Sequence, residues 1–354
     1  MMSKEKMTSM QRVLTTLEHK EPDRVPLFLL LTTHGAKELG LSIKDYFSSA
    51  ANVVEGQLRL LQKYKHDCLL GFFYAPAEIE AWGGEVIYYD DGPPNSGRPF
   101  IGSNAEIDRL SPPKIKETPV LQNILAAIRL LHQKSAGKTP VLGVAVSPFS
   151  VPVMQMGFDA YLDLIYGQPQ LFERLMEINE AFCVDWANAQ LEAGATAICY
   201  FDPVSSPTII PRDDYLTTGY LVAKRTINRI NGPVATHLAS GIALPIIDDI
   251  VETGSGAVGI SASEDLAKIK EACRGKLTII GNLNGIEMAR WNEQETAAAV
   301  KAAIAKGAPG GGFILADNHG EIPWQVPGDV LLALSEAVRT HGCYPIDREL
   351  DKNE

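Results

Sequence analysis

Eight short apolar runs recur along this chain with helical stretches between them, and that alternation restricts the fold more than any other feature. The runs are VPLFLLLT (25–32), HDCLLGFF (66–73), PVLGVAVS (140–147), AICYFDP (197–203), GPVATHLA (232–239), AVGISAS (257–263), LTIIGNLN (277–284) and GGFILADN (311–318). Most are continuously apolar, as strands are when a parallel sheet is covered on both faces. SMQRVLTTLEHK precedes the first run, AANVVEGQLRLLQKYK follows it, and QPQLFERLMEINEAFCVDWANAQLEAGA leads into the fourth. SEDLAKIKEACRG and NEQETAAAVKAAIAKG both stop on glycine, as helices do. The pattern predicts an α/β chain forming one (β/α)₈ TIM barrel across residues 1–354. It adds an N-terminal helix over 7–20 and a Pro- and Gly-rich, flap-like insertion at about 75–118 after the second run. No GxGxxG or GxxxxGK[ST] loop follows any run, which argues against a nucleotide-binding doubly wound sheet.

Composition narrows the partners. With 45% hydrophobic and 21% charged residues, the 354-residue chain can bury a large core. A net charge of −11 argues against nucleic acid or an anionic membrane as the main partner. The N-terminal stretch has no apolar signal core, and no run reaches the length of a membrane helix. Cys68, Cys183, Cys199, Cys273 and Cys343 show no CxxC spacing. An odd, scattered set points to free thiols and a cytoplasmic location. Oligomeric state is left open, a homo-oligomer included.

A barrel places its chemistry at the carboxyl ends of its strands. Read in order, those ends offer His34, then Tyr74 with Glu78 and Glu80, Ser147 with Phe149, and Asp202. His237, Ser261 with Glu264, Asn282, and Asp317 with Asn318 and His319 complete the ring. The candidate catalytic residues are His237, His319 and Asp202, with His34, Tyr74, Glu78, Phe149, Asn282 and Asp317 as candidate substrate contacts. Plainer readings stand beside these. A strand-end histidine can be satisfied by a backbone carbonyl, Asp-Pro favours an Asx-turn at Asp202, and Glu264 and Asp265 can cap a helix. Two histidines with a carboxylate have the ligand types of a zinc site at His237 and His319, and serve equally for general acid–base work.

The stretches QRVLTTLEHKEPDRVPL, YKHDCLLGFF, GVAVSPFS, FDPVSSPTIIPRDDY, THLASG, IIGNLNG and FILADNHGEIPWQVP resemble the uroporphyrinogen decarboxylase superfamily over roughly residues 7–340. They look most like its cobamide-dependent methyltransferase branch, typified by methylcobamide:coenzyme M methyltransferases. That resemblance implies a TIM barrel, a corrinoid carried on a partner protein, and a zinc site built from His-x-Cys and Cys-Gly. Here His237 matches the first ligand, Ala239 stands at the first cysteine, and His319 at the second. A donor set without thiolate is harder and suits an oxygen- or nitrogen-bound methyl group better than a thiol, with or without zinc. The resemblance therefore implies a methyltransferase that demethylates a small O- or N-methyl compound onto the corrinoid, with a zinc-free, acceptor-side methylcorrinoid methyltransferase as the alternative. The decarboxylases' RQAGRY signature after the first strand is absent, LLLTTHGAKEL standing there instead. A decarboxylase and a non-enzymatic binding barrel remain the more distant readings.

Overall fold

The computed structural model describes residues 6–346. Seven parallel strands form a curled sheet in the order β1 (Leu69–Leu70), β4 (Val141–Val146), β5 (Ala197–Phe201), β6 (Val234–His237), β7 (Ala257–Gly259), β8 (Thr278–Leu283) and β9 (Phe313–Asp317). The first apolar run closes the ring. Phe28 N–H donates to Leu315 O at 2.8 Å and Leu315 N–H to Pro26 O at 2.9 Å, while Asp67 N–H reaches Leu27 O on the other side at 2.7 Å. The result is a TIM-type barrel, with all eight runs in its wall. Phe28, Leu30, Cys68, Leu70, Ile314 and Ala316 form one buried cluster with partly buried Leu142 and Ile280. Alternate residues of the strands pack outward against the helices.

The wall is incomplete at β1, and side chains fill the missing pairings. After Leu70 the chain turns away, leaving backbone groups of Val144 and Val146 without a strand partner. Gln190, on the helix Pro169–Glu192, accepts from Val144 N–H at 3.0 Å and donates to Val144 O at 2.8 Å. Glu78 Oε1 accepts from Val146 N–H at 2.9 Å. On the other side of β1, Gln57 donates to Leu31 O at 2.8 Å and accepts from Leu70 N–H at 3.1 Å. Buried backbone groups must be paired, and here three side chains from outside the wall pair them.

The helix Ser9–Leu17, opened by a Thr8–Gln11 capping box, lies at the amino end of the barrel. Its Arg12 meets Asp67 at 2.6 Å and Asp23 at 2.7 Å, and Arg24 meets Asp67 at 2.6 Å. The segment expected as an insertion contains a helix (Ala77–Ala81) and an antiparallel pair, β2 (Val86–Ile87) and β3 (Asn95–Ser96). Among the described residues, no helix is long and apolar enough to cross a membrane.

Candidate active site

His237 is the last residue of β6, in register with Phe201 on β5 and Gly259 on β7. Parallel strands in register point the same way, so the Phe201 ring lies beside the imidazole, 6.0 Å between centroids. Gly259 makes room for it, because a β-carbon there would stand 2.3 Å from His237 Cδ2. Ala239 N–H donates to Nδ1 at 3.0 Å, and Nε2 is buried without a partner. Burial pushes the ring down to about 4, so it is uncharged at neutral pH.

The loop after β9 crosses the mouth towards this imidazole. Asp317 Oδ2 accepts from the N–H groups of His319 (2.8 Å) and Gly320 (3.0 Å), which shapes the turn. Gly320 lies against His237, a β-carbon there falling 3.3 Å from Cε1. His319 Nδ1 is hydrogen-bonded to Ser240 Oγ in the loop after β6, and its Nε2 is buried and unpartnered. Burial lowers the His319 ring and raises Asp317 to about 6. Glu321, raised to about 8 by burial and then by Asp317, accepts from Thr32 Oγ1. His34 stands beside Trp324, 6.3 Å between ring centroids, with both ring nitrogens unpartnered and the ring driven down to about 3 by burial. The carboxyl rim thus gathers Thr33 Oγ1, both nitrogens of His34, Nε2 of His237 and of His319, and Oδ1 of Asp317, all buried and unsatisfied. Such groups are rare in folded proteins and make this rim the candidate functional site.

Other candidates lie elsewhere. Asp202 follows the inward Phe201 and so faces the helix layer. Its carboxylate accepts from Ser147 Oγ (2.5 Å), Ser150 Oγ (2.7 Å) and Ser205 Oγ (2.6 Å), and it orients neither imidazole. Phe149 is fully buried against Tyr161 and Phe172, where it packs the core. Tyr74 bonds Glu80 and Tyr88 in an aromatic cluster with Phe47. Glu78 sits in the wall, its Oε2 unpartnered beside a cavity of about 10 Å³ that Trp186 and Gln190 also line. Asn282 reaches Ser261 O at 3.1 Å, and Glu264 holds the Ala243 and Leu244 N–H groups, so both brace loops of the rim. Sequence reasoning passed over Glu321, although it directly follows the His-Gly pair, and passed over Ser240 and Trp324.

A metal would need more than this rim offers. Among the described residues, no three His, Cys, Asp or Glu side chains come together as a metal site. The serines take up Asp202, and the turn takes one oxygen of Asp317.

A parallel barrel whose carboxyl rim holds imidazole and carboxyl atoms buried without a partner is the architecture of a TIM-barrel enzyme. The chain belongs to the uroporphyrinogen decarboxylase (URO-D) family, whose profile it matches over residues 8–341. Relatives named uroporphyrinogen decarboxylase include one from Ralstonia nicotianae, 24% identical over 253 residues (67% of each chain). Another, from Cupriavidus pinatubonensis, is 22% identical over 364 residues, covering 94% of this chain and 97% of that protein. Among solved structures, a methyltransferase from Methanosarcina mazei superposes with a TM-score of 0.81 at 19% identity, covering 95% of this chain and 99% of that one. A B12-independent methionine synthase from Shewanella sp. gives 0.53 at 12% identity, covering 91% and 95%.

Proposed function

We propose that this protein is a corrinoid-dependent methyltransferase that takes a methyl group from a small O- or N-methyl compound and passes it to a corrinoid carried by a separate protein. The observation that carries the reading is the character of the rim, where His237, buried and uncharged, and the partly buried His319 present buried Nε2 atoms without partners at the two positions the His-x-Cys and Cys-Gly elements would occupy. The corrinoid, as co-substrate, would supply the cobalt that accepts the methyl carbon. The bond from that carbon to its heteroatom breaks, the electron pair stays on the heteroatom, and a proton completes the demethylated product. This chain's part is to seat the donor, exclude water and stabilise the departing atom, and His237 and His319 are the groups placed to do it.

The names of the relatives favour a decarboxylase as the second reading. A substrate bearing several carboxylates calls for guanidinium groups at the mouth. Among the described residues, the buried guanidinium groups are those of Arg12 and Arg24, at the opposite end of the barrel with Asp23 and Asp67. At the place of the arginine-rich signature stand Thr32, bonded to Glu321, Thr33 and the uncharged His34. The rim therefore speaks for a neutral ligand.

The test is an anaerobic spectroscopic screen of the purified protein with cob(I)alamin against methoxyarenes, methylamines, methyl thiols and betaines. Formation of methylcob(III)alamin with one donor class is the expected result. No spectral change with any donor, together with decarboxylation of uroporphyrinogen, would overturn the reading.

A further inference from the structure

We infer that the rim is a metal-free cradle of two imidazole N–H donors, built for an oxygen leaving group rather than for zinc or a methylated ammonium. The choice of oxygen over nitrogen rests on the methyl-transfer reading, whereas the proton placement does not.

The argument begins at Ala239. Its N–H donates to His237 Nδ1 at 3.0 Å, so that nitrogen presents a lone pair. A neutral imidazole has one lone pair and one N–H, so the proton of His237 is on Nε2. An N–H nitrogen has no electrons to give a metal. Ligation through Nε2 would need either an imidazolate or a rearranged Ala239, and this residue is already held at φ 51°, in the left-handed region.

His319 repeats the arrangement from the other loop. Among the described residues, the one partner of the Ser240 hydroxyl is His319 Nδ1. When that hydroxyl donates there, the ring proton of His319 is also on Nε2. Both Nε2 atoms are buried with no acceptor.

Two N–H groups without acceptors select the chemistry of their ligand. An ether oxygen has lone pairs to offer at once. As its bond to the methyl carbon breaks, it keeps the electron pair and moves towards an oxyanion, so both hydrogen bonds strengthen in the transition state. The methyl carbon goes to the corrinoid cobalt, and a solvent proton neutralises the oxygen afterwards. A quaternary ammonium has no lone pair, and its positive charge would face two N–H hydrogens.

The experiment reads the rings before it reads turnover. Protein labelled with ¹⁵N-histidine is examined by long-range ¹H–¹⁵N correlation at neutral pH and titrated with zinc. Both His237 and His319 should show the Nε2–H tautomer, and zinc should not bind at one equivalent per chain. The pair Ala239→Cys with His319→Cys, which restores two thiolates, should gain that equivalent. An Nδ1–H tautomer at His237, or stoichiometric zinc in the wild type that is lost in His237→Ala, would overturn the inference. In the corrinoid assay, methoxyarenes should be demethylated about tenfold or more faster than methylated amines. The reverse preference would overturn the choice of oxygen while the ring spectra stood. Inactivity towards every donor would sink the methyl-transfer reading alone.

Discussion

Glu78→Gln separates a residue of the barrel wall from a residue of the site. Glu78 is buried, bound through Oε1 to Val146 N–H, and left without a partner at Oε2. Burial raises its carboxyl from 4.5 to about 8. The sign follows from proton linkage. A carboxyl whose pKa is higher in the folded state binds its proton more tightly there, so its stabilisation is fully present below the unfolded value. That stabilisation is lost as pH rises from about 4.5 through about 8. Each tenfold change in proton concentration across that window is worth up to about 1.4 kcal/mol, so the full span is on the order of 5 kcal/mol. Glutamine keeps an acceptor for Val146 and has no charge to lose. Urea midpoints of wild type and variant at pH 5, 7 and 9 make the measurement. Wild type should weaken from pH 5 to pH 9. The variant should weaken less and be the more stable of the two at pH 9, with a residual slope from Glu321 and Asp317, which are raised likewise. Parallel pH profiles would refute the reasoning, as would a variant of unchanged stability that had lost its activity.

His237→Phe keeps the ring volume and removes the N–H, so turnover should fall by about 10²–10³-fold while the unfolding midpoint barely moves. Wild-type activity in this variant would make the histidine a packing residue. Gly259→Ala would bring a β-carbon to 2.3 Å from His237 Cδ2 and must displace the ring. A misplacement of about 1 Å costs roughly 10²-fold in rate, checked by steady-state kinetics with circular dichroism to confirm the fold. Asp67→Ala should destabilise the chain by about 3–5 kcal/mol in urea melts, because it removes the buried carboxylate that the guanidinium groups of Arg12 and Arg24 share. A loss under about 1 kcal/mol would mean that water solvates the pair.

The barrel was legible because a strand covered on both faces can hardly be written in anything but apolar residues, and all eight runs proved to be wall. What the sequence did not reveal was how little ladder the first two make. Pro26 has no N–H to give, and the second run contributes only Leu69 and Leu70 before turning away. That turn carries Tyr74 and Glu78 out of the mouth. At β5 the difference was one residue of alternation. Phe201 faces the mouth, so Asp202 cannot, and its serine partners lie in loops that only the fold brings together. His237 and His319 were legible as a pair because strand ends converge on one rim. Glu321 was not, since its burial arises only when the loop after β9 folds back on Thr32.

The seam at β1 also bears on how such a barrel can change. Where a wall is held by backbone ladders, lengthening one strand shifts the register of its neighbour. Here Gln57, Gln190 and Glu78 hold the neighbours together, and they are anchored in helices outside the wall. The chain leaving Leu70 is thereby uncoupled from the strand it would otherwise have to match. Beyond Glu78, the hairpin of β2 and β3 is free to grow, shrink or be exchanged without disturbing the ring.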